Sequence, residues 1–203
     1  MQARPPRTAN QSTVTEQARR AQIVAAAIDV IAEAGYDKAS FARIAKHAGL
    51  SSTGLISYHF RTKKELDGAI AADIIGRVGR HMGEAMAGVE DPREALAAYI
   101  EGLIGFMKAD PRYLQAMFGI VLNGGFDYDG GAEQESTSGL TDILRRGQAA
   151  GVFRDFDIHV MATTIQRSLD GIPLAQAIDP DLDLDHYARE LVELFTLATR
   201  HQE

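Results

Sequence analysis

The chain has 203 residues, 45% of them hydrophobic, which is enough for one domain of moderate size or for a small domain joined to a larger one. It contains no cysteine, which excludes disulfides, thiolate metal sites and a cysteine nucleophile. No run approaches the roughly 18 apolar residues of a membrane-spanning helix, and the N-terminus lacks the apolar segment of a signal peptide. We therefore expect a soluble, cytoplasmic protein.

The net charge is −7, but it is unevenly distributed. Residues 1–68 carry 10 Lys and Arg against 6 Asp and Glu, whereas the rest of the chain carries 11 bases against 22 acids. A basic N-terminal part followed by an acidic remainder indicates that the N-terminal part faces the phosphates of a nucleic acid, which would repel the remainder. Chance asymmetry is the alternative explanation.

Residues 1–12 are polar, contain a proline pair and are predicted to form a disordered tail. Thr13 and Glu16 have the spacing of a capping box, so we expect the first helix to begin there. Its apolar residues recur at helical spacing, and Gly35 suits the position that follows a helix C-terminus.

A helix-turn-helix is predicted between residues 40 and 60. Ser40 suits an N-cap, apolar residues follow it at helical spacing, and Gly49 interrupts the pattern. A short second helix then runs from Thr53 to Phe60. Its apolar side chains can pack inward: Leu55, Ile56 and Phe60. Its other side chains can reach into a DNA major groove: Thr53, Ser57, Tyr58 and His59. A small helical hairpin with a polar face is the alternative.

Six further helices are predicted, and no strand-like alternation persists anywhere. Thr62–Glu65 is a capping box that opens a long helix to about residue 87. Four of the others run over about 91–108, 110–122, 133–150 and 183–200. The fifth begins at about 155 and is interrupted at Gly171–Pro173, where a kink is expected. We thus predict an all-α fold with a three-helix helix-turn-helix head (13–66) and a six-helix ligand-binding and dimerisation body (67–203).

Two features of the body bear on function. Gly102 and Gly105 leave side-chain volume missing in the middle of an apolar helix, so either another helix crosses there or a cavity lies there. The last helix carries two adjoining apolar stripes, which is wider than one core face needs. A helix from a second copy of the chain is the expected partner.

The segment AGLSSTGLISYHFRTKKEL, with the helix that precedes it, resembles the recognition region of the TetR (tetracycline-repressor) family of transcription regulators. The resemblance implies a homodimer formed mainly by the last two helices, an operator on double-stranded DNA and a small-molecule effector. The histidines show no metal-ligand spacing, so no metal is expected, and no cofactor is expected either. It implies that Ser40 and Lys63 meet phosphate and that Thr53, Ser57, Tyr58 and His59 form the exposed face of the recognition helix. Arg43 and Ser52 complete the candidate DNA-binding set.

A repressor released from an inverted-repeat operator by a largely apolar effector is therefore the predicted function. The candidate effector site comprises Phe106, Tyr113, Met117, Phe118, Gln166 and Asp170, with Asp170 as a counter-charge for a cationic group. The main alternative is a DNA-binding or scaffold protein of the same fold that senses no small molecule. In that case the candidate effector residues would simply pack in the core.

An enzyme is not expected, because no catalytic motif occurs. The acidic residues between Asp179 and Glu190 have spacing like that of a calcium loop, but Leu184 stands where such a loop needs glycine. Helix caps and a solvated acidic loop explain these residues better.

Overall fold

A computed structural model of the chain describes residues 9–125 and 130–201, with side chains described for 15–125 and 136–201. Within these ranges the chain forms α-helices and one 3-10 helix (Tyr36–Lys38) but no β-strand, which confirms the predicted all-α fold. The α-helices are α1 (Ala9–Ala34), α2 (Phe41–His47), α3 (Gly54–His59), α4 (Lys63–Ala85), α5 (Pro92–Ala109), α6 (Pro111–Leu122), α7 (Gly130–Ala149), α8 (Ile158–Asp170), α9 (Ile172–Ile178) and α10 (Leu184–Thr199). None of the described helices is long and apolar enough to cross a membrane.

Helix α1 starts earlier than predicted. It begins at Ala9, so residues 9–12 are helical where a disordered tail was expected, and Thr13 lies inside the helix, where it cannot serve as its cap. Residues 9–12 contain no proline or glycine, so nothing in them stops the helix from extending back towards the proline pair at 5 and 6. Residues 1–8 lie outside the described residues.

The helix predicted from about residue 155, with an interruption and kink at Gly171–Pro173, is two helices. Asp157 caps α8 as expected, with its side chain accepting a hydrogen bond from Val160 N–H. The chain then breaks at Gly171, and Pro173 lies in the first turn of α9. Proline has no N–H for the carbonyl four residues before it, so it is better accommodated at a helix start than at an internal kink. Helix α7 also begins slightly earlier than predicted, at Gly130.

The chain divides into two compact units, Met1–Asp73 with Gln115–Phe126 and Ile74–Leu114 with Asp127–Glu203. We call them the head unit and the body unit. Residues 67–73 of α4 and the second half of α6 thus group with the head, whereas the predicted boundary after residue 66 assigned them to the body. Ile70, Ala116 and Ile120 are buried apolar side chains of these segments.

The head unit is built on the buried stripe of α1, against which α2 and the 3-10 helix pack. Its largest fully buried side chains are Ile23, Ile44, Ile56, Phe60, Leu66, Ile70 and Ile120. As predicted, they come from every helix of the helix-turn-helix region. No single pair of these short helices could bury this much apolar surface alone.

The body unit is centred on α5, which packs against α7, α8 and α10. Helix α5 is buried on most of its circumference, as its sequence predicts. At Gly102, an added Cβ would lie 3.0 Å from Ala85 Cβ and 3.3 Å from Met82 Sδ, and at Gly105 it would lie 3.8 Å from His81 Nε2. Of the two explanations for these glycines, the structure therefore supports a helix crossing, because α4 occupies the space.

Candidate nucleic-acid interface and effector site

The turn between α2 and α3 is closed by backbone hydrogen bonds. Gly49 has a φ of +65°, a left-handed conformation that glycine adopts without strain. Leu50 N–H donates to Ala45 O at 2.8 Å and Gly49 N–H donates to Lys46 O at 3.2 Å. This is the Schellman arrangement, in which the residues after a helix satisfy its last carbonyls. The predicted turn glycine is thus required by the backbone conformation.

The beginning of α2 is capped as predicted. Ser40 has an extended backbone, and its Oγ accepts a hydrogen bond from Arg43 N–H at 3.3 Å. Arg43 itself is exposed and lines an open groove of about 460 Å³ between α1 and α2. Lys46 and His47 line the same groove, and His47 Nε2 lies 3.3 Å from Asp29 Oδ2. Glu33 of α1 lines the groove as well, so its rim carries charges of both signs.

Helix α3 has an inner and an outer face. Ile56 and the following Phe60 are fully buried, whereas Tyr58 is 75% exposed. Ser52, Thr53 and Ser57 are exposed with it. These groups can donate and accept hydrogen bonds at base edges and phosphates.

Two side chains of α3 differ from expectation. Leu55, predicted to pack inward, is 36% exposed, because its position falls between the buried and the outer face. His59 is only partly exposed, and its ring meets the Tyr58 ring edge-on with 5.0 Å between centroids. Its Nδ1 is buried and has no hydrogen-bond partner among the described residues. Tyr58, rather than His59, is therefore the aromatic group that α3 presents.

Helix α4 begins with the predicted cap. Thr62 Oγ1 accepts from Glu65 N–H at 3.1 Å, and Glu65 Oε2 accepts from Arg61 N–H at 2.9 Å. A capping box normally returns the second bond to the cap residue itself, so here it is displaced by one residue. Lys63, the predicted phosphate contact, donates to Tyr36 O at 3.0 Å and lies 3.6 Å above the Tyr36 ring.

Two residues of α1 that sequence reasoning missed support the motif. Arg20 Nη1 donates to His59 O at 2.6 Å, and Gln22 Nε2 donates to Ala48 O at 2.8 Å. The first bond satisfies a carbonyl at the end of α3, and the second satisfies one at the end of α2. No local sequence signal marks either residue, because their partners lie 39 and 26 positions away.

The candidate effector residues do not form one lining within either unit. Met117 and Phe118 belong to the head unit, where both are half-buried, and the other four belong to the body unit. In the body, Phe106 stacks on Tyr113 with 5.8 Å between centroids, and the guanidinium of Arg77 lies 4.8 Å from the Tyr113 ring. The His81 ring packs on Phe106 at 5.6 Å. Part of the predicted aromatic cluster is therefore present.

Gln166 and Asp170 form a separate polar cluster with Tyr99. Gln166 Nε2 donates to Asp170 Oδ1 at 2.8 Å, and Tyr99 Oη donates to Gln166 Oε1 at 3.3 Å. Burial raises the pKa of Tyr99 to about 12, with a further contribution from the charge of Asp170. Asp170 also pairs with Arg167 at 2.7 Å. A cationic effector would therefore have to compete with an existing partner for Asp170.

A further groove of about 310 Å³ lies in the body at the C-terminal end of α5. It is lined by Met107, Lys108, Pro111, Gln176 and residues 182–185. Asp183 in this lining caps α10 by accepting from Asp185 N–H and His186 N–H, each at 3.0 Å. Its role as a helix cap agrees with the sequence interpretation, and the described residues contain no cluster able to hold a metal ion.

Apolar side chains on α8 and α10 remain exposed. Helix α10 buries Ala188, Leu191 and Phe195 but leaves Leu194 55% exposed and Leu197 47% exposed. Val160 of α8 is similarly exposed. Of the two stripes predicted for the last helix, the one formed by Ala188, Val192 and Phe195 is buried or partly buried, whereas Leu194 of the other stripe and the neighbouring Leu197 have no covering surface within the described chain.

The comparisons with known proteins agree with this architecture. Residues 23–70 match the sequence profile of the family described as bacterial regulatory proteins, tetR family. The HTH-type transcriptional regulator BetI of Yersinia pestis (strain Pestoides F) is 41% identical over 90 residues, which cover 41% of this chain and 43% of the relative. The match thus spans less than half the length of that relative.

Solved structures resemble a larger part of the chain. The fatty acid degradation regulator FadR from Bacillus halodurans has a TM-score of 0.76 and 23% identity, covering 87% of this chain and 93% of that one. A TetR transcription regulator from Haloarcula marismortui has a TM-score of 0.79 and 19% identity, covering 91% of this chain and 100% of that one. At such identities these two similarities concern the fold alone.

Proposed function

Because the chain belongs to the TetR family of transcriptional regulators, we propose that it is a homodimeric repressor that binds an inverted-repeat operator and is released by a small, largely apolar effector. The observation that carries the DNA-binding part is α3, which anchors itself with Ile56 and Phe60 and leaves Tyr58 and its polar neighbours exposed. A helix that follows a tight turn and carries such a face fits the major groove.

The DNA-binding surface is assigned to Ser40, Arg43, Ser52, Thr53, Ser57, Tyr58, His59 and Lys63. Selection of duplexes from a random-sequence pool by the purified chain tests this assignment. A shared sequence motif among the bound duplexes supports specific binding. Binding that is equal for all duplexes and disappears at moderate salt would contradict it, because only phosphate contacts would then contribute.

The homodimer is supported by the exposed apolar side chains of Leu194 and Leu197 on α10. Replacing Leu194 with Glu would place a charge in a dimer interface, where burying it without a partner is costly. Sedimentation should then detect monomer where the unmodified chain is dimeric. Ile75→Glu is the matched control, because Ile75 is also an exposed apolar residue but lies on α4. Equal behaviour of the two variants would remove the support for this interface.

The effector is assigned to the body, either at Phe106 and Tyr113 or at the Gln166–Asp170 pair. Met117 and Phe118 belong to the head unit and stay sequence predictions. A compound that raises the melting temperature of the chain and weakens its DNA binding would identify an effector, since a ligand can shift an equilibrium only by its differential affinity. Phe106→Ala should reduce both responses.

A DNA-binding or scaffold protein of this fold that senses no small molecule is the second candidate. It is favoured by the close packing at Gly102 and by the His81 ring beside Gly105, where the sequence had left room for a cavity. A screen in which apolar compounds change neither the melting temperature nor the DNA affinity would favour this candidate.

A further inference from the structure

We propose that Arg20 and Gln22 of α1 set the orientation of α3 and thereby determine how well the chain distinguishes its operator from other DNA, without contacting DNA themselves. This inference rests on the proposed DNA-binding function. It assigns a positioning role to two residues outside the helix-turn-helix, and their contacts lie entirely within the head unit.

Helix α3 needs support from outside itself. It has six residues, and helices of that length are not stable alone in water. Thr53 stands at its N-cap, but its side chain makes no capping hydrogen bond to the helix. Ile56 and Phe60 are buried and provide apolar anchors. Because both lie on the same side of the helix, they restrain its rotation about its own axis only weakly. The orientation of Tyr58 and Ser57 therefore depends on what holds the helix ends.

Arg20 holds the C-terminal end of α3. Its Nη1 donates to His59 O at 2.6 Å, a charge-assisted bond to a carbonyl left free by the end of the helix. Its guanidinium carbon also lies 4.2 Å from the centroid of the buried Phe60 ring. One side chain thus fixes both the last carbonyl of α3 and the aromatic residue that anchors it.

Gln22 holds the other side of the turn. Its Nε2 donates to Ala48 O at 2.8 Å, at the end of α2, and its Oε1 accepts from Arg19 at 2.6 Å. Arg20 and Gln22 lie two residues apart on α1, so the end of α2 and the end of α3 are tied to neighbouring positions of one helix. The angle between α2 and α3 is then set by α1.

The same contacts indicate that Arg20 does not bind a DNA phosphate. Its guanidinium is shared among His59 O, the Phe60 ring and Glu65, whose Oε1 lies 4.0 Å away. A DNA phosphate would have to replace these partners. Gln22 is neutral and contributes no counterion release. Both residues should therefore affect base discrimination more than the salt-dependent part of binding.

The experiment compares two duplexes. The first is the duplex that the unmodified chain selects from a random-sequence pool, and the second has the same base composition in scrambled order. Arg20→Met retains a side chain of similar length but removes the hydrogen-bond donors and the charge. Gln22→Met removes a hydrogen-bond donor without changing the charge. Arg61→Met is the matched control, because Arg61 is an exposed arginine just after α3 and its loss removes the same charge.

We expect Arg20→Met to reduce the ratio of selected to scrambled affinity about tenfold and Gln22→Met about threefold, as expected for a hydrogen bond that contributes on this scale. The slope of log affinity against log salt on the scrambled duplex should stay unchanged for both. Circular dichroism should show folded protein, and Gln22, which is exposed, supplies the test if Arg20→Met fails to fold.

Three results would overturn the inference. Equal weakening on both duplexes with a lower salt slope would make Arg20 a phosphate ligand. An equal loss of the ratio in Arg61→Met would attribute the effect to charge alone. Unchanged ratios in both Arg20→Met and Gln22→Met would deny any role in positioning. If the unmodified chain selects no duplex, the proposed DNA-binding function fails and this inference fails with it.

Discussion

The hydroxyl of Tyr36 donates a hydrogen bond of 2.6 Å to Asp67, a carboxylate in α4 that is only 2% exposed. Lys63 lies above the same tyrosine ring, so a cation, a phenol and a buried acid share one corner of the head unit. Gly125 closes this corner, since an added Cβ there would lie 2.7 Å from Asp67 Oδ2. The pair thus joins the 3-10 helix to the start of α4 next to the helix-turn-helix.

Tyr36→Phe should lower the free energy of unfolding by about 1–3 kcal/mol at pH 7, because it leaves the buried Asp67 without that donor. Burial, then the hydrogen bond to Asp67, raises the pKa of Tyr36 above its ordinary value of 10.0. The unfolded chain therefore releases this proton first, and the unmodified protein should lose stability as the pH rises past 10.0. Urea unfolding at pH 7 and above pH 10 measures both effects. An unchanged stability at pH 7 would contradict the role of the pair.

Asp67→Asn tests how much the burial of the ionised Asp67 carboxylate lowers the free energy of unfolding. Burial raises the pKa of Asp67 above its ordinary value of 3.8, although the Tyr36 hydrogen bond and the Lys63 charge oppose the shift. The folded protein then retains the proton to a higher pH than the unfolded chain does. Stability should fall as the pH rises from 3.8 through the folded pKa and then level off. The asparagine variant should lack this fall in urea unfolding over the same pH series. A parallel pH dependence in both proteins would assign it to other groups.

Sequence patterns predicted most of what lies along one helix and little of what joins distant segments. The cap at Ser40, the turn at Gly49, the buried Ile56 and Phe60, and the helix starts at Asp91 and Asp110 follow from local rules on hydrogen-bond caps and apolar spacing. The bonds from Arg20, from Gln22 and between Tyr36 and Asp67 depend on which segments meet in space. No local pattern encodes those meetings.

The candidate effector site shows the same division. The aromatic stack of Phe106 on Tyr113 follows from residues at the end of one helix and the start of the next. The Gln166–Asp170 bond is a one-turn contact within α8. That Gly105 faces His81 rather than a void could not be predicted, because it requires knowing which helix crosses α5.

Gly147→Ala should destabilise the body unit by about 1–3 kcal/mol, the usual cost of overpacking a core. An added Cβ would fall on the ring of Phe153, which is buried in the main apolar cluster. Gly79→Ala is the control, because within the described structure its Cβ would meet no atom within 4 Å, and alanine favours the helix by about 0.5–1 kcal/mol. Thermal unfolding should thus move in opposite directions for the two variants. A stabilised Gly147→Ala would show that Phe153 is not fixed in place.

Tyr58→Ala and Lys63→Ala should change DNA binding in different ways. Losing the exposed Tyr58 ring should weaken the selected duplex more than a scrambled one. Losing Lys63 should weaken all duplexes alike and lower the salt slope by about 0.9 for each phosphate that is no longer neutralised. Titrations of both duplexes at several salt concentrations distinguish these results. If Lys63→Ala leaves the salt slope unchanged, its bond to Tyr36 is its main role.

Hydroxyl-radical footprinting of the selected duplex tests the central claim most directly. A dimer that places one α3 from each copy in the major groove should protect two half-sites related by a two-fold axis, about 34–36 Å apart or a multiple of that. Sedimentation of the same sample should show two chains or a multiple of two on each duplex. One asymmetric protected site, occupied by a single chain, would contradict the account.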